Sequence, residues 1–396
     1  MTDKLSVSNV YKVFGPDPEQ GLKLVQEGKS KDQIFAETGN TVGVNNASFT
    51  VREGEIFVIM GLSGSGKSTL VRLLNRLIEP TSGEVVVAGE NITGASQEKL
   101  RDIRREHMAM VFQSFALMPH MTVIQNAAFG LEIAGMEKTE RESRAQTALD
   151  AVGLGHMATK WPSECSGGMQ QRVGLARALA NDPSILLMDE AFSALDPLIR
   201  TEMQDELLRL QSEQSRTIVF ISHDLDEAMR IGDRIAIMEG GRIVQIGTPE
   251  EILNDPADDY VASFFKGVNK GTVLKAADVA RKTQVTVIDK DDKGVRTAMK
   301  RLSEYDRQHG YVVDGKGQYH GVVSYDSLEA IAQDPEPMLS KAYLPDVEPI
   351  VDETVIWDIL GKVAAAPCGV PVVDEKGRYK GVISKAVLLE SMDKGE

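Results

Sequence analysis

A glycine-rich loop with a lysine near its end follows the apolar run Ile56–Met60. Glycines let the backbone curl so that successive N–H groups point at one anion, and a helix that begins after the loop adds positive potential. Lys67 has the length to reach the β- and γ-phosphates of a nucleotide, and the Ser68 hydroxyl suits Mg²⁺. We therefore expect a phosphate-binding loop whose contacts come from Gly61, Ser63, Gly64, Ser65, Gly66, Lys67, Ser68 and Thr69.

Two adjacent carboxylates, Asp189 and Glu190, follow a second apolar run, Ile185–Met188. Such a run is typical of a buried strand, and α/β sheets bind ligands at the carboxyl ends of their strands. Asp189 is placed to hold Mg²⁺, commonly through water. Glu190 is placed to orient and deprotonate an attacking water. With the phosphate-binding loop upstream, the pair predicts hydrolysis at the bound phosphates.

Several short apolar runs alternate with helix-forming segments around these motifs. Strands that are apolar at every position are buried on both faces, which marks a parallel sheet covered by helices. Further runs of this kind lie at residues 218–221 and 235–238, and Glu239–Arg242 predicts a hairpin turn. Residues 90–165 are richer in charge and in helix formers, and predict a mostly helical block.

Composition limits the class of protein. The chain has 396 residues, 42% hydrophobic and 26% charged, which is typical of a globular protein with two or three domains. No apolar stretch reaches the ~18 residues that a membrane span needs, and the first residues show no secretion signal. Two cysteines, Cys165 and Cys368, fit a reducing compartment. The net charge of −15 argues against a nucleic-acid-binding surface.

The last third of the chain contains a repeat with an offset of 60 residues. The segment His309–Ser324 aligns without gaps with Gly369–Ser384, and nine positions carry the same residue in both copies. Each copy has two apolar, strand-like runs around a turn. We therefore expect two β-hairpins, each followed by a helix, that together form one duplicated module.

Small residues at Ser166–Gly168 precede a predicted helix about 20 residues before Asp189, where backbone N–H groups can bind an anion. This order of motifs resembles the nucleotide-binding domain of ATP-binding-cassette (ABC) transporters, over residues 1–265. The resemblance implies an α/β P-loop NTPase (RecA-like) fold with a helical subdomain at about 90–165. The signature motif departs from the family pattern at Cys165 and Met169.

The resemblance also implies roles for individual residues in the binding and hydrolysis of ATP with Mg²⁺. Gln113 is the glutamine that contacts Mg²⁺ and senses the transport subunit. His223 contacts the γ-phosphate, and Asp196 lies in a loop that crosses the dimer interface. These roles add to those of Asp189 and Glu190.

A dimer of two chains follows from the same resemblance. Two ATP molecules are sandwiched between the copies, each held by the phosphate-binding loop of one chain and by Ser166, Gly167 and Gly168 of the other. The aromatic side chain that stacks on adenine is Phe14, with Tyr11 as the alternative.

Longer stretches resemble one branch of that family, the ATPase subunits of importers for glycine betaine, proline betaine and related quaternary amines. The polar insert between Phe14 and Val42 and the stretches Phe112–His120 and Met188–Arg200 carry this resemblance. It implies a peripheral protein on the cytoplasmic face of the inner or plasma membrane. Its partners are then a transmembrane permease and, through the permease, a substrate-binding protein. An importer of another small polar substrate is the alternative.

The duplicated module resembles a tandem pair of CBS domains, which that branch often carries. We expect it to begin after the cassette, with these bounds: cassette 1–268, pair 269–396, repeats about 280–333 and 343–393. Three functions stay open for the pair: a sensor of ionic strength, a sensor of adenine nucleotides, and a dimerisation module without a ligand. Where ligand-binding CBS domains often place a ribose-gripping Asp, this chain has Ser327 and Val387.

Overall fold

The computed structural model describes residues 2–112, 116–193, 195–265, 274–282, 286–289 and 294–392. The chain divides into two compact units, Met1–Lys266 and Gly267–Glu396. Among the helices of the described ranges, none combines the length and the apolar character needed to cross a bilayer.

The first unit alternates strands and helices along most of its length. Its elements, in chain order, are β1 (Asp3–Phe14), α1 (Pro18–Gln26), α2 (Lys31–Thr38), β2 (Thr41–Arg52), β3 (Ile56–Met60), α3 (Lys67–Leu74), β4 (Ser82–Val87), β5 (Glu90–Asn91), α4 (Gln97–His107), β6 (Met108–Val111), α5 (Val123–Ile133), α6 (Lys138–Ala151), α7 (Gly167–Ala180), β7 (Ile185–Asp189), α8 (Pro197–Gln214), β8 (Thr217–Ser222), α9 (Leu225–Ile231), β9 (Arg234–Glu239), β10 (Arg242–Gly247), α10 (Pro249–Asn254) and α11 (Asp259–Phe264). Two 3₁₀ turns, Gly155–Met157 and Pro162–Glu164, lie between α6 and α7.

Two sheets form the frame of this unit. The larger has six strands in the order β10-β9-β3-β8-β7-β6, and β3, β6, β7, β8 and β9 pair in parallel. Among the described strands of this sheet β10 alone pairs in the antiparallel direction, and Arg242 lies opposite Glu239, which confirms the predicted hairpin. The smaller sheet is antiparallel, in the order β2-β1-β4-β5.

Both faces of the larger sheet are covered by apolar side chains. Along β7, Leu186 and Met188 belong to one buried cluster, while Ile185 and Leu187 belong to another on the opposite face. Neighbouring residues of a strand point to opposite faces, so both faces must be apolar. This arrangement explains why the strands of the parallel sheet are apolar at every position, as the sequence predicts.

The helical part of this unit is built from α5, α6 and α7, which pack on one another. The sequence predicts a helical subdomain at 90–165, but within that stretch β6 pairs with β7 as the last strand of the larger sheet. β6 has four residues and only Met108 and Val111 are buried. A strand this short leaves no periodic signal that separates it from a helix.

The polar insert between β1 and β2 folds into α1 and α2 and has a small core of its own. Ile34 of α2 is fully buried against Val13, Val25 and Val42. Asn40 is also fully buried, and its amide donates to the Asp17 carbonyl (2.8 Å) and accepts from the Asp17 N–H (3.2 Å). These contacts fix the insert to the edge of the smaller sheet.

Replacing Asn40 with alanine is expected to loosen this insert alone. The change removes both hydrogen bonds between the buried Asn40 side chain and the backbone of Asp17, each of which contributes about 0.5–1.5 kcal/mol. Amide exchange in α1 and α2 should therefore accelerate by about 10- to 100-fold, while exchange in β3 stays unchanged. Hydrogen-exchange mass spectrometry measures both regions, with the exposed neighbour Thr41→Ala as control. Unchanged exchange in α2 would show that the insert is held by other contacts.

The second unit contains the duplicated module. Its elements are α12 (Ala276–Val279), β11 (Thr286–Ile288), α13 (Val295–Glu304), β12 (His309–Val313), β13 (Tyr319–Ser324), α14 (Tyr325–Ile331), β14 (Ile350–Val351), α15 (Ile356–Ala365), β15 (Val370–Val373), β16 (Tyr379–Ile383) and α16 (Lys385–Met392), with a 3₁₀ turn at Leu339–Ala342. The two sheets have the orders β11-β12-β13 and β14-β15-β16.

The two copies repeat not only in order but in register. Tyr311 pairs with Val322 in one hairpin and Pro371 with Val382 in the other, each shifted by the same 60 residues. In both copies the first strand adds in parallel to the hairpin. Each hairpin is followed by a helix, α14 or α16. The structure thus has the duplicated hairpin–helix module that the repeat predicts.

Candidate active site

The phosphate-binding loop leaves the end of β3 and runs into α3. Gly61 has φ +155° and a Cβ there would lie 2.3 Å from the Met238 carbonyl oxygen; Gly66 has φ +103° and its Cβ would lie 2.4 Å from the Gly43 oxygen. Only glycine fits these close approaches without strain. Gly66 caps α3 without a side-chain hydrogen bond, so the first N–H groups of the helix remain available to an anion.

Lys67 is the buried cation of this loop. Its Nζ donates to the carbonyl oxygens of Gly61 (2.8 Å) and Leu62 (3.1 Å). Burial lowers the pKa of Lys67, opposed by the nearby carboxylates of Glu190 and Asp189. The ammonium thus lies where the loop, the sheet and both carboxylates converge. When a nucleotide binds, phosphate oxygens can replace the two carbonyl oxygens as its hydrogen-bond acceptors.

Asp189 lies at the end of β7, beside the loop. The Ser68 hydroxyl donates to its Oδ1 (2.8 Å), and Arg72 lies 3.6 Å from its Oδ2. A hydroxyl and a buried carboxylate are hard oxygen donors of the kind that Mg²⁺ prefers, so Ser68 and Asp189 would hold such an ion. Within the part of the chain that the structure describes, no group of three or more His, Cys, Asp or Glu side chains is arranged to hold a metal ion.

Glu190 follows at a strained position, with φ +47°. Its Oε2 lies 3.5 Å from Nδ1 of His223, which follows the neighbouring strand β8. The hydroxyl of Ser193 donates to the Glu190 carbonyl (2.9 Å) and holds the turn. Backbone strain of this kind persists only where the surroundings impose it, and it is typical of functional sites. The structure brings together Glu190 and His223, which are distant in sequence.

A buried network behind His223 was not found from the sequence. The Ser222 hydroxyl accepts from the Asp224 N–H (2.9 Å) and donates to Glu227, whose carboxylate also accepts from Gln204 (3.1 Å). Burial raises the pKa of Glu227. The spacing of Asp224 and Glu227 is that of a helix-capping pair, which would have signalled the start of α9 but not this network. Its contacts fix the turn that carries His223.

A cavity of about 630 Å³ lies over the phosphate-binding loop. Loop residues including Gly64 and Lys67 line one side, and Phe14 and Glu190 also border it. Its volume is in the range of small-ligand sites. The insert contributes to it as well, through Lys31, Asp32 and Phe35 of α2, which the sequence did not indicate.

Of the two aromatic candidates, Phe14 borders the cavity and Tyr11 does not line it in the part that the structure describes. The Phe14 ring is 39% exposed and lies against Gly43, where a Cβ would be 2.8 Å from the ring. Lys12 places its Nζ 4.9 Å from the ring centroid. Tyr11 instead packs on the small core of the insert, so its ring is committed to packing.

The signature residues lie apart from this cavity, and no residue of 166–168 is among its described lining. Ser166 is exposed and caps α7, accepting from the Met169 N–H (3.3 Å). A Cβ on Gly168 would lie 2.6 Å from Ile199, so that position has no room for a side chain. Asp196 is exposed and caps α8. Gln113 lies outside the described residues.

Comparison with known proteins identifies the family. A family model described as ABC transporter matches residues 44–193, and one described as CBS domain matches 276–330. The glycine betaine/proline betaine transport system ATP-binding protein ProV of Salmonella typhimurium is 57% identical over 396 residues, which cover 100% of this chain and 98% of ProV. The chain belongs to the ABC transporter family. As an ABC ATP-binding protein, it has ATP as its ligand and hydrolysis of ATP as its family reaction.

Further relatives agree with this. The glycine betaine transport ATP-binding protein OpuAA of Bacillus subtilis is 48% identical, over 98% of this ABC protein and 92% of OpuAA. A solved dimer of the ATP-binding cassette MJ0796 with ADP and Pi has 31% identity and a TM-score of 0.53, covering 62% of this chain and 98% of that one. The expected P-loop ABC fold is confirmed, and so is the resemblance to the betaine-importer branch of the family.

Proposed function

We propose that this chain is the ATPase subunit of a membrane importer for glycine betaine and related quaternary amines. The observation that carries the proposal is the end-to-end match with ProV, a protein of a glycine betaine/proline betaine transport system. The match spans both units of the chain, so it includes the duplicated module as well as the cassette. In this proposal the chain lies at the cytoplasmic face of the membrane, and its partners are a transmembrane permease and, through the permease, a substrate-binding protein.

The site residues have the following roles in this proposal. Lys67 and the loop N–H groups bind the ATP phosphates, and Phe14 stacks on adenine. Ser68 and Asp189 hold Mg²⁺, which offsets phosphate charge when it is bound. Catalysis then consists largely of positioning and electrostatic stabilisation. Glu190 acts on the attacking water and His223 on the γ-phosphate. Gln113, which lies outside the described residues, would contact the Mg²⁺.

The functional form in this proposal is a dimer of two chains. Ser166, Gly167 and Gly168 are separate from the cavity of their own chain, and Ser166 and Asp196 are exposed. A second copy that presents its 166–168 segment would complete the ATP site. The solved relative MJ0796 is itself dimeric. ATP then joins the two copies, and hydrolysis releases them.

Reconstitution with the membrane partners in lipid vesicles tests the function. ATP hydrolysis is measured with and without glycine betaine, and the binding protein is added if it is a separate chain. Strong stimulation by glycine betaine supports the importer and its substrate class. Hydrolysis that depends on the partners but not on quaternary amines would leave a transporter ATPase for another small polar substrate.

For the C-terminal unit we propose regulation of transport by ionic strength. The side chain of Ser327 takes part in capping its own helix, because its Oγ accepts from the Ser324 N–H (2.9 Å). This contact argues against a ribose contact at Ser327. The Debye length, over which charges interact before salt screens them, falls from ~8 Å at 0.15 M salt to ~3 Å at 1 M. Such a change can switch contacts with anionic lipid.

Deleting residues 270–396 is therefore expected to flatten the salt dependence of transport. The basal rate at one fixed salt concentration is the control for an intact cassette. Glycine betaine uptake into vesicles is measured across internal salt concentrations for the full and shortened chains. An unchanged salt curve would remove the ionic sensor and leave nucleotide sensing or dimerisation.

A further inference from the structure

Helix α2 of the insert borders the nucleotide cavity. Lys31, Asp32 and Phe35 line the same cavity as Gly66 and Lys67 of the phosphate-binding loop. None of the roles assigned above to the cassette uses this helix. The position of these α2 side chains at the cavity is therefore not explained by the family roles.

The insert is held firmly enough to present side chains at a fixed place. Ile34 is fully buried in the core of the insert. Ser30 and Gln33 form a reciprocal capping box at the start of α2, and Gly39 ends the helix in the left-handed conformation. With the buried Asn40 beside it, α2 is fixed at both ends. Lys31 and Phe35 therefore line the cavity from a firmly held helix.

Lys31 lies close to the phosphate-binding loop. A Cβ built on Gly241 would be 3.1 Å from its Nζ. The Gly241 N–H donates to the Ser65 carbonyl (2.9 Å), and a Cβ on Gly66 would lie 3.5 Å from the Gly241 Cα. The Lys31 ammonium thus lies beside Gly241, which itself contacts the phosphate-binding loop.

Nothing in the described chain neutralises this ammonium. No carboxylate of the described ranges forms an ion pair with Lys31, although Lys29 nearby pairs with Glu37. Asp32 is its sequence neighbour, and adjacent helical residues do not face each other. Burial lowers the pKa of Lys31 with no opposing charge. A half-buried cation without a partner is costly, and an anion in the cavity would remove that cost.

We propose that Lys31 is a second lysine of the ATP site, which contacts the anionic phosphates of the bound nucleotide from helix α2. This inference rests on the proposed ATP site. Phe35 is 60% exposed and borders the same cavity, so it adds an apolar surface to the lining. The insert is then part of the nucleotide site rather than a surface decoration.

The expected effect lies between that of an exposed ion pair and that of a buried charged hydrogen bond. Replacing Lys31 with methionine, which keeps the length and apolar stem, should weaken ATP binding by about 3- to 10-fold. Lys31→Arg keeps the charge and should retain the affinity of the original chain. Lys23→Met removes an exposed lysine of α1 that does not line the cavity in the described chain, and should change nothing.

The experiment is a titration of the full-length chain and these variants with MgATP, at two salt concentrations. Weaker binding by Lys31→Met alone, with a smaller salt dependence, supports the proposal. Equal affinity of Lys31→Met and the original chain overturns it. Equal weakening by Lys31→Met and Lys23→Met also overturns it, because the effect is then a long-range one of net charge.

Two controls keep the result decisive. Failure of the unaltered chain to bind ATP would overturn the proposed function, whereas binding that ignores Lys31 overturns only this inference. Thermal unfolding of each variant shows whether it folds. If Lys31→Met does not fold, Lys31→Gln is titrated in its place and read by the same criteria.

Discussion

ATP turnover is expected to fall by about 10²–10⁴-fold when Glu190 is replaced with glutamine. Glutamine has nearly the same shape, so the turn held by Ser193 and the strained φ of +47° can persist. What disappears is the carboxylate that accepts a proton from the attacking water. ATP binding should be retained, and the protein should accumulate as an ATP-bound dimer.

The measurement combines steady-state release of phosphate with gel filtration in MgATP. Glu213→Gln is the matched control, because it makes the same change on an exposed side chain of α8. Turnover at the level of the unaltered chain would show that Glu190 is not the general base. A variant that hydrolyses slowly but stays monomeric in ATP would contradict the proposed dimer.

Replacing Lys67 with methionine is expected to affect binding rather than turnover alone. Hydrogen bonds to charged groups contribute about 1.5–3 kcal/mol, so the dissociation constant for ATP should rise by about 10- to 100-fold. Lys67 is only 5% exposed, and its ammonium lies between the loop and the carboxylates of Asp189 and Glu190. Its loss leaves those carboxylates to repel the phosphates without compensation.

Equilibrium titration with MgATP measures this effect, and Lys23→Met serves again as the control. The two variants in the site separate two steps, since Glu190→Gln should bind ATP and not hydrolyse it, whereas Lys67→Met should bind it poorly. Unchanged affinity in Lys67→Met would place the phosphates elsewhere than at this loop.

The motifs that could be predicted from the sequence are those whose signal is local. The loop at Gly61–Thr69 requires glycines at fixed spacing, and the buried strands β3 and β7 require apolar residues at every position. The hairpin at Glu239–Arg242 follows from its two glycines. The 60-residue repeat was likewise readable, because both copies keep the same strand and turn residues.

Other features had no local signal. β6 lies within a stretch rich in helix formers, and the sequence does not predict it. Its four residues form a strand because they pair with β7. The network of Ser222, Glu227 and Gln204 joins α8 to the end of β8. Such polar contacts depend on which surfaces meet, and ordinary residue types at ordinary spacings do not indicate them.

The sequence by itself determined the family, the phosphate-binding loop, the carboxylate pair and the duplication, because backbone conformation and burial impose strict residue types at those positions. Only the tertiary structure brought His223 within 3.5 Å of Glu190, and favoured Phe14 over Tyr11 by the packing of each ring. It also brought Lys31 of the insert to the nucleotide cavity. Distances between segments far apart in the chain follow from how sheets and helices pack, and a linear pattern of residues does not contain them.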